Sequence, residues 1–380
     1  MSNDISLILI LAAIVSSSPF ISRLINIPTS LIEILIGSIL ATVGIVSKNA
    51  EFDKVAEVGF LYLMFLAGLE IDFNKLINSS KKLISKSLLY LFLITILSII
   101  AGYILDLNII LVVSIPLISV GLLATLSKSY DKDTRWLEIA FTVGVLGEVA
   151  SIIALTVLDV ASKVGFGKEL AIELTILFSF IIIIVVLYKV IDLIFWWMPE
   201  LKDKIMPKYD ISEQNIRISM ALFFIFIALM VWLHLEVALG AFISGIAISA
   251  FFHHQKDLEE KMSSFGFGFL VPIFFIHVGT TLDLTSITMD GVFPNTMLIV
   301  ALSFAIKISS AFVLKDFLKT KDIIITALSL SMPLTLLVAV ATIGYNLKII
   351  TILEYYAIIQ ASILEVVIAM ILIKVLSKKK

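Results

Sequence analysis

SIPLISVGLLAT at residues 114–125 and SMPLTLLVAVAT at 331–342 share one pattern, Ser-x-Pro-Leu, six residues, then Ala-Thr, at an offset of 217. The same offset carries Glu148, in GEVASII, onto Glu365, in LEVVIAM. Both stretches are apolar, yet each holds a proline, which removes a backbone donor and interrupts a helix. Two interrupted helices, each followed by a helix bearing a glutamate, at one spacing, read as an internal repeat. Pro116 with Gly121, and Pro333, are therefore expected to mark two discontinuous helices whose freed backbone groups are available to a ligand.

The rest of the 380-residue chain places these stretches in lipid. Hydrophobic residues make up 60% and charged residues 15%, with a mean hydropathy of +1.11. Soluble domains have an apolar share of roughly 45–50% and a charged share of roughly 25%, so a water-soluble globule is excluded. A crossing helix needs about 20 mostly apolar residues. Thirteen candidate spans meet or approach that length, near 4–21, 28–47, 53–70, 83–105, 109–127, 136–158, 170–195, 214–233, 236–252, 264–280, 294–314, 323–344 and 351–374. No stretch alternates as a barrel strand would, so the expected class is an all-α polytopic membrane protein.

With zero cysteines there is no disulfide, thiol or thiolate-metal chemistry. A net charge of −2 gives no reason to expect nucleic acid as a partner. Asp4 stands where a secretory signal would be basic, so residues 4–21 read as a retained span.

Lys and Arg accumulate on the cytoplasmic side of membrane proteins. Placing the N-terminus outside puts 22 of the 28 basic residues on the cytoplasmic side and leaves 5 outside, at positions 48, 54, 163, 168 and 348; the remaining one, Lys307, lies within the eleventh span. The matched stretches are the fifth and twelfth spans, each followed by its glutamate-bearing span. The chain thus parses as six helices (about 4–158), a linker helix (about 170–195) and six helices (about 214–374) within a single domain, 1–380. An odd linker inverts the second unit, the build of many secondary transporters, whose sites lie near the midplane.

A charge at a span centre is expensive and marks an ion or proton pathway more often than a structural pair. Glu148, Glu365 and Lys307 lie near span centres, and Glu33 is shallower. Burial disfavours an ionised carboxyl and a nearby ammonium favours it, so such a group can exchange protons near physiological pH. A monovalent cation wants oxygens from a carboxylate, hydroxyls and unwound carbonyls. Glu148 can hold either a proton or a metal cation, and that exclusion is itself a coupling mechanism. Lys307 is expected to pair with a buried glutamate, first of all Glu148. Glu365, a candidate second acid, would then be neutral and hydrogen-bonded.

At this point motifs accumulate. VAEVGFLYLMFLAGLEID (55–72) resembles a signature of the monovalent cation:proton antiporters of the sodium/proton exchanger superfamily, in its bacterial branch without a C-terminal regulatory domain. IPTSLIEILIGSILATVG (27–44), SVGLLAT (119–125), LEVALGAFISGIAIS (235–249) and FGFLVPIFFIHVGTTLDL (267–284) follow in the family's order. The resemblance implies a cation and proton site at Glu148, where relatives usually have Asp, with Ser119 beside it and Lys307 as the family's basic residue. It also implies a homodimer in the inner membrane and a moving core containing both broken helices. Gly147 stands where relatives carry Asp or Asn, Ile118 where many carry Thr, and Pro-Leu-Thr at 333–335 where many carry Pro-Arg-Gly.

The expected activity is exchange of sodium or potassium, and conceivably lithium, for protons, with no cofactor. A sodium-coupled solute carrier and a transport-inactive sensor are the alternatives. An intramembrane enzyme would need Ser244 with His234 or His277, a thin pairing, and no phosphate loop or HExxH motif occurs. Trp136, Trp196 and Trp197 read as interfacial residues, His253 and His254 as solvated, and the charged stretch 198–214 as a linker.

Overall fold

The computed structural model describes residues 2–25, 29–45, 50–69, 80–127, 130, 134–164, 167–198, 200, 213–233, 235, 237–251, 256–281 and 289–377. Among them every regular element is helical. The helices are α1 (Ser2–Ile25), α2 (Thr29–Thr42), α3 (Ala50–Leu69), α4 (Lys81–Ile104), α5 (Ile109–Ser114), α6 (Gly121–Ser127), α7 (Arg135–Val164), α8 (Lys168–Trp197), α9 (Gln214–Trp232), α10 (Val237–Phe251), α11 (Lys256–Phe265), α12 (Val271–Thr280), α13 (Val292–Ala311), α14 (Thr320–Ser329), α15 (Leu334–Asn346) and α16 (Ile352–Ser377). A π-helical segment, Gly266–Leu270, joins α11 to α12, and a 3-10 turn, Phe312–Asp316, extends α13.

Each apolar stretch of the sequence contains helix. Seven of these helices are continuous and apolar enough to cross a membrane, and the α14–α15 pair, bent by 47° at its break, makes an eighth. The shorter helices α2 and α10 have 14 and 15 residues. The largest extensions past the expected bounds are in two stretches: the tenth starts earlier, at Lys256, and the sixth runs on to Val164. In both, charged residues continue the helix past its apolar part.

Helix starts follow local capping chemistry. Ser80 accepts the Leu83 N–H at 3.1 Å, and Asn108 accepts the Leu111 N–H at 3.0 Å. At the start of α16 the Thr351 hydroxyl accepts the Glu354 N–H while the Glu354 carboxylate accepts the Thr351 N–H, a reciprocal capping box. The other Glu354 oxygen accepts from the Asn108 amide at 2.6 Å, tying the start of α5 to the start of α16.

The chain divides into two compact units. One comprises Met1–Lys48, Asn78–Leu155 and Phe275–Lys380. In it α13, α14, α15 and α16 pack together, α4 lies against α5 and α13, and α1 lies against α2. The buried Ser18 hydroxyl donates to Glu33 at 3.0 Å, linking α1 and α2.

The other unit comprises Asn49–Ile77 and Thr156–Phe274. Its main crossing is α3 on α10, where Gly68 faces the backbone of Phe242 and Gly245 faces that of Phe65, so neither position has room for a Cβ. Tyr62, Phe65 and Phe223 stack edge to face beside it, and the Tyr62 hydroxyl donates to the Met262 carbonyl at 3.2 Å.

Many large apolar side chains face outward, among them Phe92, Ile99 and Tyr103 on α4 and Phe224 and Val231 on α9. On a soluble protein such continuous apolar faces would be a liability; in a bilayer they meet acyl chains. Trp196, Trp197 and Trp232 are exposed at helix ends, as interfacial tryptophans should be. Trp136 corrects the expectation made for it. It is buried, stacks edge to face on Tyr130 at 5.3 Å, and its carbonyl accepts the Thr326 hydroxyl at 3.5 Å. Its neighbours along the chain are polar, but α14 covers it.

Candidate ion site

The fifth span is two short helices separated by an irregular stretch, 115–120. Pro116 is the second residue of that stretch and Gly121 starts α6. Backbone groups freed in a dry interior must find partners. Two of them find α7: the Ser151 hydroxyl accepts the Ile118 N–H at 2.9 Å, and Glu148 Oε2 accepts the Val120 N–H at 2.6 Å.

The twelfth span breaks at 330–333, a four-residue interruption against six in the fifth. Pro333 caps the start of α15. Within this break the Ser331 hydroxyl turns back to the Ala327 carbonyl at 2.7 Å, and just before it the Ser329 hydroxyl at the end of α14 bonds the Thr326 carbonyl at 2.8 Å. Both breaks reach α7 at one place. Val120 of the first and Leu330 of the second flank Gly144, one helical turn before Glu148. Residues 144, 148 and 151 form one stripe of α7, by the i, i+4, i+7 spacing of a helix face.

Glu148 is completely buried. One carboxylate oxygen is held by the break, and the Ser119 hydroxyl lies beside the same carboxyl. The other oxygen, Oε1, has no hydrogen-bond partner among the described residues. A buried acceptor without a donor is costly unless it carries a proton or binds a cation.

Lys307 and Glu365 are also fully buried, on the packed faces of α13 and α16. Glu365 lies near enough to Lys307 for their charges to interact. Lys307 Nζ and Glu365 Oε2 have no hydrogen-bond partner among the described residues, and Ser303, one turn before Lys307, lies beside the Glu365 carboxyl. Glu33 lies apart from these groups, bonded to Ser18. His234, His253 and His254 fall outside the described residues, and the Ser244 hydroxyl is committed to the Ala241 carbonyl at 2.6 Å.

The profile of the family described as sodium/hydrogen exchanger, transmembrane, matches residues 7–379. The chain belongs to the sodium/hydrogen exchanger family. It is 27% identical over 378 residues to the candidate Na(+)/H(+) antiporter YjbQ of Bacillus subtilis, covering 93% of this chain and 60% of that protein. It therefore spans about three fifths of that relative's length. It is 25% identical over 377 residues to another candidate, Na(+)/H(+) antiporter 3 of Methanocaldococcus jannaschii, over 96% of this chain and 94% of that one. The fold is similar to that of the sodium proton antiporter MjNhaP1 from Methanocaldococcus jannaschii, with a TM-score of 0.67 at 15% identity and full coverage of both chains. As a member of this exchanger family with these apolar helices, the chain is a multi-pass membrane protein.

Within the chain, Pro116, Gly121, Ser119 and Glu148 come together around one break, and the Pro333 break adjoins the same stripe of α7. Lys307 and Glu365 are buried on α13 and α16, which pack on each other. Sequence reading missed Ser151, although its place one turn after Glu148 was the available signal. It also missed Ser303, which stands four residues before Lys307 on the same face.

Proposed function

We propose that this chain exchanges a monovalent cation, sodium or potassium, for protons by alternating access, with Glu148 as the carboxylate that holds either one. The reading rests above all on Glu148: a fully buried carboxyl with one oxygen anchored by the Val120 N–H of a broken helix and the other without a partner. Cation loading would displace the proton, and Ser119 would contribute a hydroxyl oxygen. The site's two states differ only in which monovalent cation they hold.

The wider architecture belongs to the same proposal. Thirteen spans in a six, one, six arrangement form an inverted repeat, with the N-terminus outside and the C-terminus in the cytoplasm of a bacterial-type inner membrane, and the chain assembles as a homodimer. The paired breaks and the matched glutamates favour the repeat. A cavity of about 140 Å3 lined by Asp106, Asn108, Asn295 and Glu354 lies at the proposed outer ends of α5, α13 and α16 and reaches Ile115, the first residue of the break. It is an acidic approach from the outside. Everted membrane vesicles energised to an acidic interior test the function: adding sodium or potassium should release the quench of a pH dye, and no release by either cation would contradict it.

A further inference from the structure

The first half of the fifth span, α5, is only six residues long, Ile109–Ser114. So short a helix does not hold itself in place, and its position is set by what it touches. Along its side the Ser98 hydroxyl of α4 donates to the Val112 carbonyl at 2.6 Å, and Gly344 of α15 faces Ile110 so closely that a Cβ there would stand 2.9 Å from its Cγ1. At its start Asn108 serves two partners. The amide oxygen caps the Leu111 N–H at 3.0 Å, and the amide nitrogen donates to Glu354 Oε1 at 2.6 Å. Glu354 is itself fixed, because its Oε2 accepts the Thr351 N–H at 2.7 Å and the Thr351 hydroxyl at 3.0 Å. A carboxylate acceptor makes the link from Asn108 one of the stronger kind.

Past the other half of the span, the Tyr130 hydroxyl shares a hydrogen bond of 2.9 Å with the Ser377 hydroxyl, while its ring stacks on Trp136. Glu354 stands in the first turn of α16 and Ser377 is the last residue of that helix. At roughly 1.5 Å per residue the helix between them is about 35 Å long. No break interrupts α16, whereas the fifth span between Asn108 and Tyr130 is irregular at 115–120. An unbroken helix bonded near both of its ends to a broken one fixes the distance between the ends of the broken span, and with it the height of the irregular stretch.

We propose, building on the exchange reading of Glu148, that Asn108 and Glu354 are positioning residues of the ion site. Their hydrogen bond, with the Tyr130–Ser377 contact at the far end, ties the fifth span to α16 and sets the height at which the break presents the Val120 N–H and the Ser119 hydroxyl to Glu148. Both act through α5 rather than on the ion.

Asn108 and Glu354 also line the cavity that reaches Ile115, so the test keeps the charge there constant. Proteoliposomes containing the full chain and a trapped pH dye give exchange rates against sodium or potassium concentration, and melting temperatures in detergent accompany each variant. Asn108→Ser retains a hydroxyl to cap Leu111 but is too short to reach Glu354. Its apparent KM for the cation should rise several-fold, with a smaller change in kcat. The double variant Asn108→Asp with Glu354→Gln exchanges donor for acceptor across the same contact, keeps the parent charge, and should bring KM back close to the parent. Tyr130→Phe keeps the ring on Trp136, removes only the hydroxyl, and should raise KM from the other end. KM at the parent value in either single variant, whatever its melting temperature, overturns the proposal, because the contacts would then hold the fold and not the site. A double variant with KM as high as that of Asn108→Ser overturns it too. These outcomes leave the exchange reading intact; a parent protein whose dye never responds to sodium or potassium overturns both.

Discussion

The side chain of Ile118 occupies the space into which any side chain at position 147 would project. Ile118 belongs to the broken helix and Gly147 to α7, so the two residues form one packing arrangement. An apolar branched side chain on one helix packs against a glycine on the other. The consequence is a carboxylate at 148 with no room for a second one at the preceding position.

Gly147→Asp should therefore be poorly tolerated, because the new side chain must displace a buried isoleucine. Overpacking of this kind costs about 1–3 kcal/mol. Adding Ile118→Thr, which removes the obstructing Cδ1, should recover part of the loss. Thermal unfolding of both variants in one detergent checks the relationship; equal losses in the single and the double variant would break it.

Ser151→Ala should strand the buried Ile118 N–H. An amide left without its acceptor costs about 1–3 kcal/mol. Because that amide lies in the break beside Ser119, the apparent KM for the cation should rise several-fold along with the loss of stability. Ser151→Thr keeps the acceptor and should stay near the parent on both counts. A Ser151→Ala variant with unaltered KM and melting temperature would show that the break holds its shape without α7.

Much of this was legible in the sequence, for specific physical reasons. Lipid leaves helices as the expected structure of the apolar stretches, and the repeated Ser-x-Pro-Leu pattern marked Pro116 and Pro333 as the prolines that break them, whereas Pro19 sits inside the continuous α1. Glu148, Glu365 and Lys307 stood out because charges are rare at span centres. What packs beside what was not legible. The surroundings of Lys307 depend on which faces of α13 and α16 meet, and there it lies buried on the face that α16 covers. Ser151 and the buried Trp136 were hidden for the same reason: tertiary contacts, not local patterning, give them their roles.

Glu33 provides a contrasting case, a buried acid outside the site. Its carboxylate accepts from Ser18, and a glutamine carbonyl can do the same. Glu33→Gln should leave exchange within a few-fold of the parent, while Ser18→Ala should cost about 1 kcal/mol of stability by removing the donor. Dye-based exchange rates and melting temperatures report on the two variants. Abolished exchange in Glu33→Gln would extend the ion pathway to α1 and α2.

The central claim is that Glu148 exchanges a proton for a cation. Everted vesicles carrying Glu148→Gln test it most directly, with Glu148→Asp alongside and protein amounts matched by immunoblot. The amide keeps size and can still accept the Val120 N–H, but it can neither ionise nor deliver a proton. Cation-dependent release of dye quench should disappear in Glu148→Gln and persist at a measurable rate in Glu148→Asp. A Glu148→Gln protein that exchanges sodium or potassium for protons at the parent rate would contradict the account.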